Sequence, residues 1–99
     1  MINSEIKHIE YVLPSVLRDN GFFKNKNPEY NFKKFEKNVG IVSRFICSES
    51  ESTLTLAVKA VNKLIDKNNI EPKEIDFLIL CTQSPEYMLP TTSCIIQDK

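Results

Sequence analysis

At 99 residues the chain makes at most one small domain, and a chain of that size buries only about 60–70% of its unfolded surface. A hydrophobic fraction of 41% and a charged fraction of 26% fit an ordinary globular protein, neither disordered nor membrane-spanning. Thirteen basic residues cancel thirteen acidic ones, so no global field favours nucleic acid or an anionic membrane.

The opening "MINSEIKHIEYVLP" has no basic region followed by an apolar one, and no apolar run approaches the roughly 18 residues that span a bilayer. A cytoplasmic location without membrane insertion is expected. Cys47, Cys81 and Cys94 are widely spaced, with no CxxC and no histidine beside them to complete a zinc site. They are expected to be reduced and buried, and no cofactor or metal is expected.

No repeat or low-complexity linker divides residues 1–99, which read as one continuous piece. "IKHIEYVLP" alternates imperfectly and stops at Pro14, which predicts a first strand over residues 5–12 with His8 on one of its faces. Ser15 is placed to cap a short helical turn over "VLRDN" that Gly21 ends. "NPEYNFKKFEKNVG" predicts a helix of about nine residues starting at Tyr30 or Asn31. It puts Phe32, Phe35 and Val39 on one side and lysines on the other, with Gly40 as the left-handed terminator. This locally basic stretch reads either as a solvated helix face over core aromatics or as a phosphate-binding surface. "IVSRFIC" follows as an extended segment whose sole charge, Arg44, calls for an anchoring carboxylate or carbonyl.

The strongest local signal is "SESESTLTLAVKAVNKLIDKNN". Leu54, Ala57, Val58, Val61, Leu64 and Ile65 recur at helical spacing, opposite Lys59, Asn62, Lys63 and Asp66. Acidic residues precede this long helix, and Lys67 with two asparagines closes it. "EPKEIDFLILCTQ" then gives a turn at Pro72 and a run over residues 75–81 that is apolar on both faces, as in a covered parallel sheet. Helices and strands in this order predict an α/β layered architecture. "CTQSPEYMLP" is too bulky for a short exposed loop, since Tyr87, Met88 and Leu89 stand in a row between two prolines. Pro90 begins a last helix that runs to Lys99 without a cap, as a truncated piece of a larger domain would.

"YVLP", "VGIVSRFI", "ESTLTLAVKAVNKLID" and "IEPKEIDFLILCTQSPEYMLPTTSCIIQDK", in that order and spacing, resemble the N-terminal part of the β-ketoacyl-acyl-carrier-protein synthase III family. The resemblance implies part of the N-terminal half of a thiolase-like α-β-α-β-α layered fold, stopping before the catalytic cysteine. It also implies a homodimeric acyltransferase that loads an acyl group onto a cysteine thiolate and condenses it with malonyl on acyl carrier protein. Acyl-CoA or an acyl carrier protein thioester would be substrate rather than cofactor, and the carrier protein a partner.

In the CoA-primed members the short helix before "GI" supplies a tryptophan and an arginine to the nucleotide. Aligned through Gly40, those positions hold Lys34 and Asn38 here, so the usual pairing is absent, while Lys33, Lys34 and Lys37 remain able to contact a phosphate. The resemblance further places Tyr87 and Met88 at the dimer seam and lets Leu89 reach the partner's acyl pocket; plain interface packing is the alternative. It gives Cys94, on the helix before the nucleophile's strand, a packing role. The competing readings are a non-catalytic interaction module and another thioester-condensing enzyme such as a hydroxymethylglutaryl-CoA synthase. An isolated piece with an open strand edge is expected to be inactive and to self-associate.

Overall fold

A computed structural model describes residues 3–99, which divide into two compact units. One is Leu13–Ser50; the other joins residues 3–12 to Glu51–Lys99.

Within Leu13–Ser50, strand β1 (Val16–Asp19) is followed by helices α1 (Asn20–Lys26) and α2 (Phe32–Val39) and by strand β2 (Ser43–Ile46). The strands pair antiparallel, with Val16 opposite Ile46, Leu17 opposite Phe45, Arg18 opposite Arg44 and Asp19 opposite Ser43. "VLRD" is thus a strand and not the helical turn expected from Ser15. The helix starts later, where the Asp19 carboxylate accepts from the Phe22 N–H at 3.0 Å and caps it. Helix α2 agrees with expectation in its span, although Val39, expected on the side of Phe32 and Phe35, is exposed; at its start Asn31 Oδ1 accepts from Lys34 N at 3.0 Å. Gly40 ends the helix at φ 78°, where a Cβ would be strained.

The ribbon faces are inverted relative to a simple hydropathy rule. Leu17 and Phe45 face solvent, whereas Arg18 and Arg44 are half-buried. Like charges directly opposite one another are unfavourable in a strand pair, and here aromatic rings offset them. Arg18 lies 4.8 Å from the Phe22 ring centroid, and Arg44 lies 4.6 Å from that of Phe23 and 5.7 Å from that of Phe35.

The hub beside them is Asn20, only 3% exposed. Its Oδ1 accepts from Arg44 at 2.8 Å, and its Nδ2 donates to Glu36 Oε1 and to the Ile41 carbonyl, each at 2.8 Å. The amide orientation follows from chemistry, because a guanidinium can only donate while a carboxylate and a carbonyl can only accept. The anchor expected for Arg44 was a carboxylate or carbonyl. The observed anchor is a carbonyl oxygen, that of the Asn20 side-chain amide, joined by two rings, with the Glu36 carboxylate one hydrogen bond further on.

The second unit is built on α3 (Thr53–Asn68). No acidic residue occupies its first turn; a capping box does the work, with Ser52 Oγ accepting from Thr55 N at 3.3 Å and Thr55 Oγ1 accepting from Ser52 N at 2.8 Å. Asn69 closes the other end in the left-handed region, φ 51°, donating its N–H to the Ile65 carbonyl. A short 3-10 turn at Pro72–Glu74 leads into an irregular stretch, and α4 (Thr92–Asp98) then packs against α3.

Both strands expected in this unit are absent. Residues 5–12 and 75–81 form no ladder among the described residues, and Phe77 and Ile79 are 80% and 82% exposed. The apolar pattern of "FLILC" requires cover on both sides, but a strand also needs neighbours to hydrogen-bond, and the described residues supply none there. The same shortage explains the cysteines, all three exposed rather than buried, and a core in which Ile96 is the one buried apolar side chain among the described residues.

Residues 3–12 are held to α3 by Glu10. Lys63 and Lys67 each reach its carboxylate at 2.9 Å, and Lys63 also donates to the Tyr11 carbonyl at 3.2 Å. Hydrogen bonds from Lys67, then Lys63, then the Tyr11 N–H hold the Glu10 carboxyl at about 2, against an ordinary 4.5, and push the Lys67 ammonium upward. A depressed carboxyl stabilises the folded state above its unfolded pKa, and that contribution fades as pH falls through the folded value. The protection factor of the amides in residues 9–12, exchange corrected for its intrinsic pH dependence, is therefore expected to be constant above about pH 5 and to fall progressively toward pH 2. Glu10→Gln should remove that pH dependence. A segment whose exchange protection is unchanged in Glu10→Gln would show that the lysine clamp does not hold it.

Candidate functional site

The residues singled out in the sequence fall into two groups, one in each unit. Lys33, Lys34, Lys37 and Asn38 stand on α2, all exposed. Phe32 and Phe35 take the inward side of that helix, packing edge-on with Tyr30 at centroid distances of 4.8 and 6.1 Å from it. Lys33 and Lys37 are four residues apart on one exposed face, as are Lys34 and Asn38 on the next. None of the three ammonium groups joins an ion pair among the described residues.

Tyr87, Met88 and Leu89 form the tip of the loop before α4, closed by a cis Leu89–Pro90 bond. All three project outward, Met88 at 94% and Leu89 at 81% exposure. Tyr87 and Met88 border a shallow hollow of about 200 Å³ that also meets Leu80, Thr82, Pro85 and Thr92. Leu89 is not among its walls. A larger open groove of about 640 Å³ runs between α3 and α4, where Val61, Ile65, Ile75, Phe77 and Ile96 present an apolar floor.

Glu86 was not singled out from the sequence. Its carboxylate Oε1 accepts from the Leu54 N–H in the first turn of α3, and its own N–H donates to Thr92 Oγ1. A contact between positions 32 apart has no local pattern to announce it, whereas the capping box three residues apart does. Cys94 sits in the first turn of α4 with its sulfur 3.2 Å from Thr91 Oγ1, exposed. Among the described residues no three His, Cys, Asp or Glu side chains converge to hold a metal, and no helix is long and apolar enough to cross a membrane.

No family model matches the chain. It is, however, 35% identical over 99 residues to a β-ketoacyl-acyl-carrier-protein synthase III of Helicobacter hepaticus, a match covering 99% of this chain and 30% of that protein. It is 32% identical over 97 residues to the enzyme of the same name from Campylobacter jejuni, covering 97% and 30%. A crystal structure of a 3-oxoacyl-acyl-carrier-protein synthase III superposes on 90% of this chain and 26% of its own with a TM-score of 0.73, at 32% identity.

The match to that structure, with helices and a small sheet in this chain, makes it an α/β chain of the thiolase-like class. Within that class it carries the N-terminal part of a β-ketoacyl-acyl-carrier-protein synthase III, spanning about 30% of the length of these relatives.

Proposed function

We propose that the protein carrying this chain is an acyltransferase that condenses an acyl thioester with malonyl-acyl-carrier protein in fatty acid or related acyl-chain synthesis, acting as a cytoplasmic homodimer. The observation that supports it is the nearly full-length correspondence of this chain to enzymes named for that reaction, in both sequence and backbone course.

In this reading the nucleophilic cysteine thiolate, with the histidine and asparagine that assist decarboxylation, lies outside these 99 residues. Cys94, exposed on this chain, is not the nucleophile and would be covered by the rest of the protein. The chain's own contribution is structural to the pocket: Tyr87 and Met88 pack at the dimer seam, and Leu89 lines the acyl pocket of the partner subunit. The exposure of all three suits side chains whose cover comes from another surface. Lys33, Lys34, Lys37 and Asn38 offer a CoA or carrier-protein phosphate an exposed basic face without the planar fork of an arginine, which favours a loose, less specific contact.

The test is product formation. The full-length protein, given malonyl-acyl-carrier protein and acyl-CoA donors of increasing length, should release carbon dioxide and yield 3-oxoacyl-carrier protein. No condensation with any donor, or a hydroxymethylglutaryl product from acetoacetyl-CoA and acetyl-CoA, would overturn the assignment.

A further inference from the structure

We propose that Glu86 is a positioning residue that governs acyl-chain selectivity by pinning the Tyr87–Met88–Leu89 tip to α3 and α4. The inference rests on the acyl-pocket reading of that tip and adds the element that sets where the tip stands.

Two hydrogen bonds through one residue carry it. Glu86 Oε1 accepts from Leu54 N at 3.3 Å, and Glu86 N donates to Thr92 Oγ1 at 3.3 Å. Glu86 therefore touches the first turn of both helices of its unit. At α3 the local capping box engages Ser52 and Thr55 with each other and leaves the Leu54 N–H for an outside acceptor. A carboxylate suits that place better than a neutral group, because the N-terminal end of a helix is partially positive. At α4 the receiving hydroxyl belongs to Thr92, which is buried, so water competes poorly for it.

The geometry singles out the tip as what this bridge controls. The bond from Glu86 N to Thr92, six positions on, closes the loop at its base. Tyr87, Met88 and Leu89 lie inside that closure, and no side-chain hydrogen bond of their own fixes them among the described residues. Both bonds are at the long end of the useful range, so each contributes modestly and the tether is soft. Losing it shifts the tip without unfolding the helices. A wall displaced by the width of a methylene alters discrimination between acyl chains on the scale of about tenfold.

Glu86→Gln keeps the acceptor and the reach, Glu86→Asp keeps the charge but falls a methylene short, and Glu86→Ala loses the bond to Leu54 N while keeping the backbone bond to Thr92 Oγ1, so that the tip stays joined to α4 and is released from α3. In the full-length protein, kcat/KM would be measured for acetyl-CoA and octanoyl-CoA with malonyl-acyl-carrier protein, alongside amide exchange at Leu54 and residues 86–89. The expected result is a change of about tenfold in the ratio of the two kcat/KM values for Glu86→Ala, near-native behaviour for Glu86→Gln, and exchange at least about tenfold faster at the Leu54 amide for Ala only, the Glu86 amide keeping its bond to Thr92. An equal loss with both donors, or no change in exchange for Ala, would overturn the positioning role. If the wild-type protein condenses neither donor, the acyl-pocket reading and the selectivity claim fall together. Exchange then still decides whether the tether exists: acceleration in Ala and not in Gln upholds it, and unchanged exchange removes it.

Discussion

Asn20→Ala is expected to be the most damaging single substitution in Leu13–Ser50, costing about 3 kcal/mol. The side chain is almost fully buried and satisfies three partners at once: the Arg44 guanidinium, the Glu36 carboxylate and the Ile41 carbonyl. Truncation leaves two charged groups and a carbonyl facing one another across a void, and each stranded polar group costs about 1–3 kcal/mol, partly recovered by entering water. Asn20→Asp should not rescue it, because a carboxylate would face Glu36 and lose both donated bonds. Urea denaturation of the full-length protein, with amide exchange resolved on β1 and β2, checks this. A loss below about 1 kcal/mol would show that water replaces the amide without penalty.

The second large effect is on specificity. Leu89→Phe should lower kcat/KM for octanoyl-CoA at least about tenfold relative to acetyl-CoA in the full-length protein. The leucine is 81% exposed on its own loop, so the change costs this unit little packing. A rigid aromatic in its place takes the volume a longer acyl chain needs in the pocket it is proposed to line. Unchanged donor preference would leave Leu89 as interface packing alone.

What could be read directly from sequence was whatever is encoded within a few residues. The start of α2 next to Tyr30 or Asn31, its termination at Gly40 and the long helix α3 follow from local chemistry, and the structure agrees to within a residue or two at each. The misreadings share one cause, dependence on something distant. "VLRD" looks like a helical turn until β2 is placed opposite it, and Arg18 and Arg44, one on each strand, look misplaced until the phenylalanine rings lie over them. Residues 75–81 carry the pattern of an inner strand, but hydropathy specifies that a face must be covered and cannot say whether the cover belongs to the same stretch of chain. The candidate site divides in the same way. The bulk of Tyr87, Met88 and Leu89 is visible in a ten-residue window, whereas the role of Glu86 emerges only when Leu54 and Thr92 are brought beside it.

The Glu10 clamp also has a consequence for synthesis at the ribosome. Glu10 is made 57 residues before its partner Lys67, a delay of about 3–11 s at ordinary translation rates. Helix α3 is closed at both ends by its own neighbours and can form as it emerges, but the leading segment has nowhere to dock until that helix exists. The segment around Glu10 thus settles only after chain made well after it, and codon choice between residues 11 and 67 sets how long it waits.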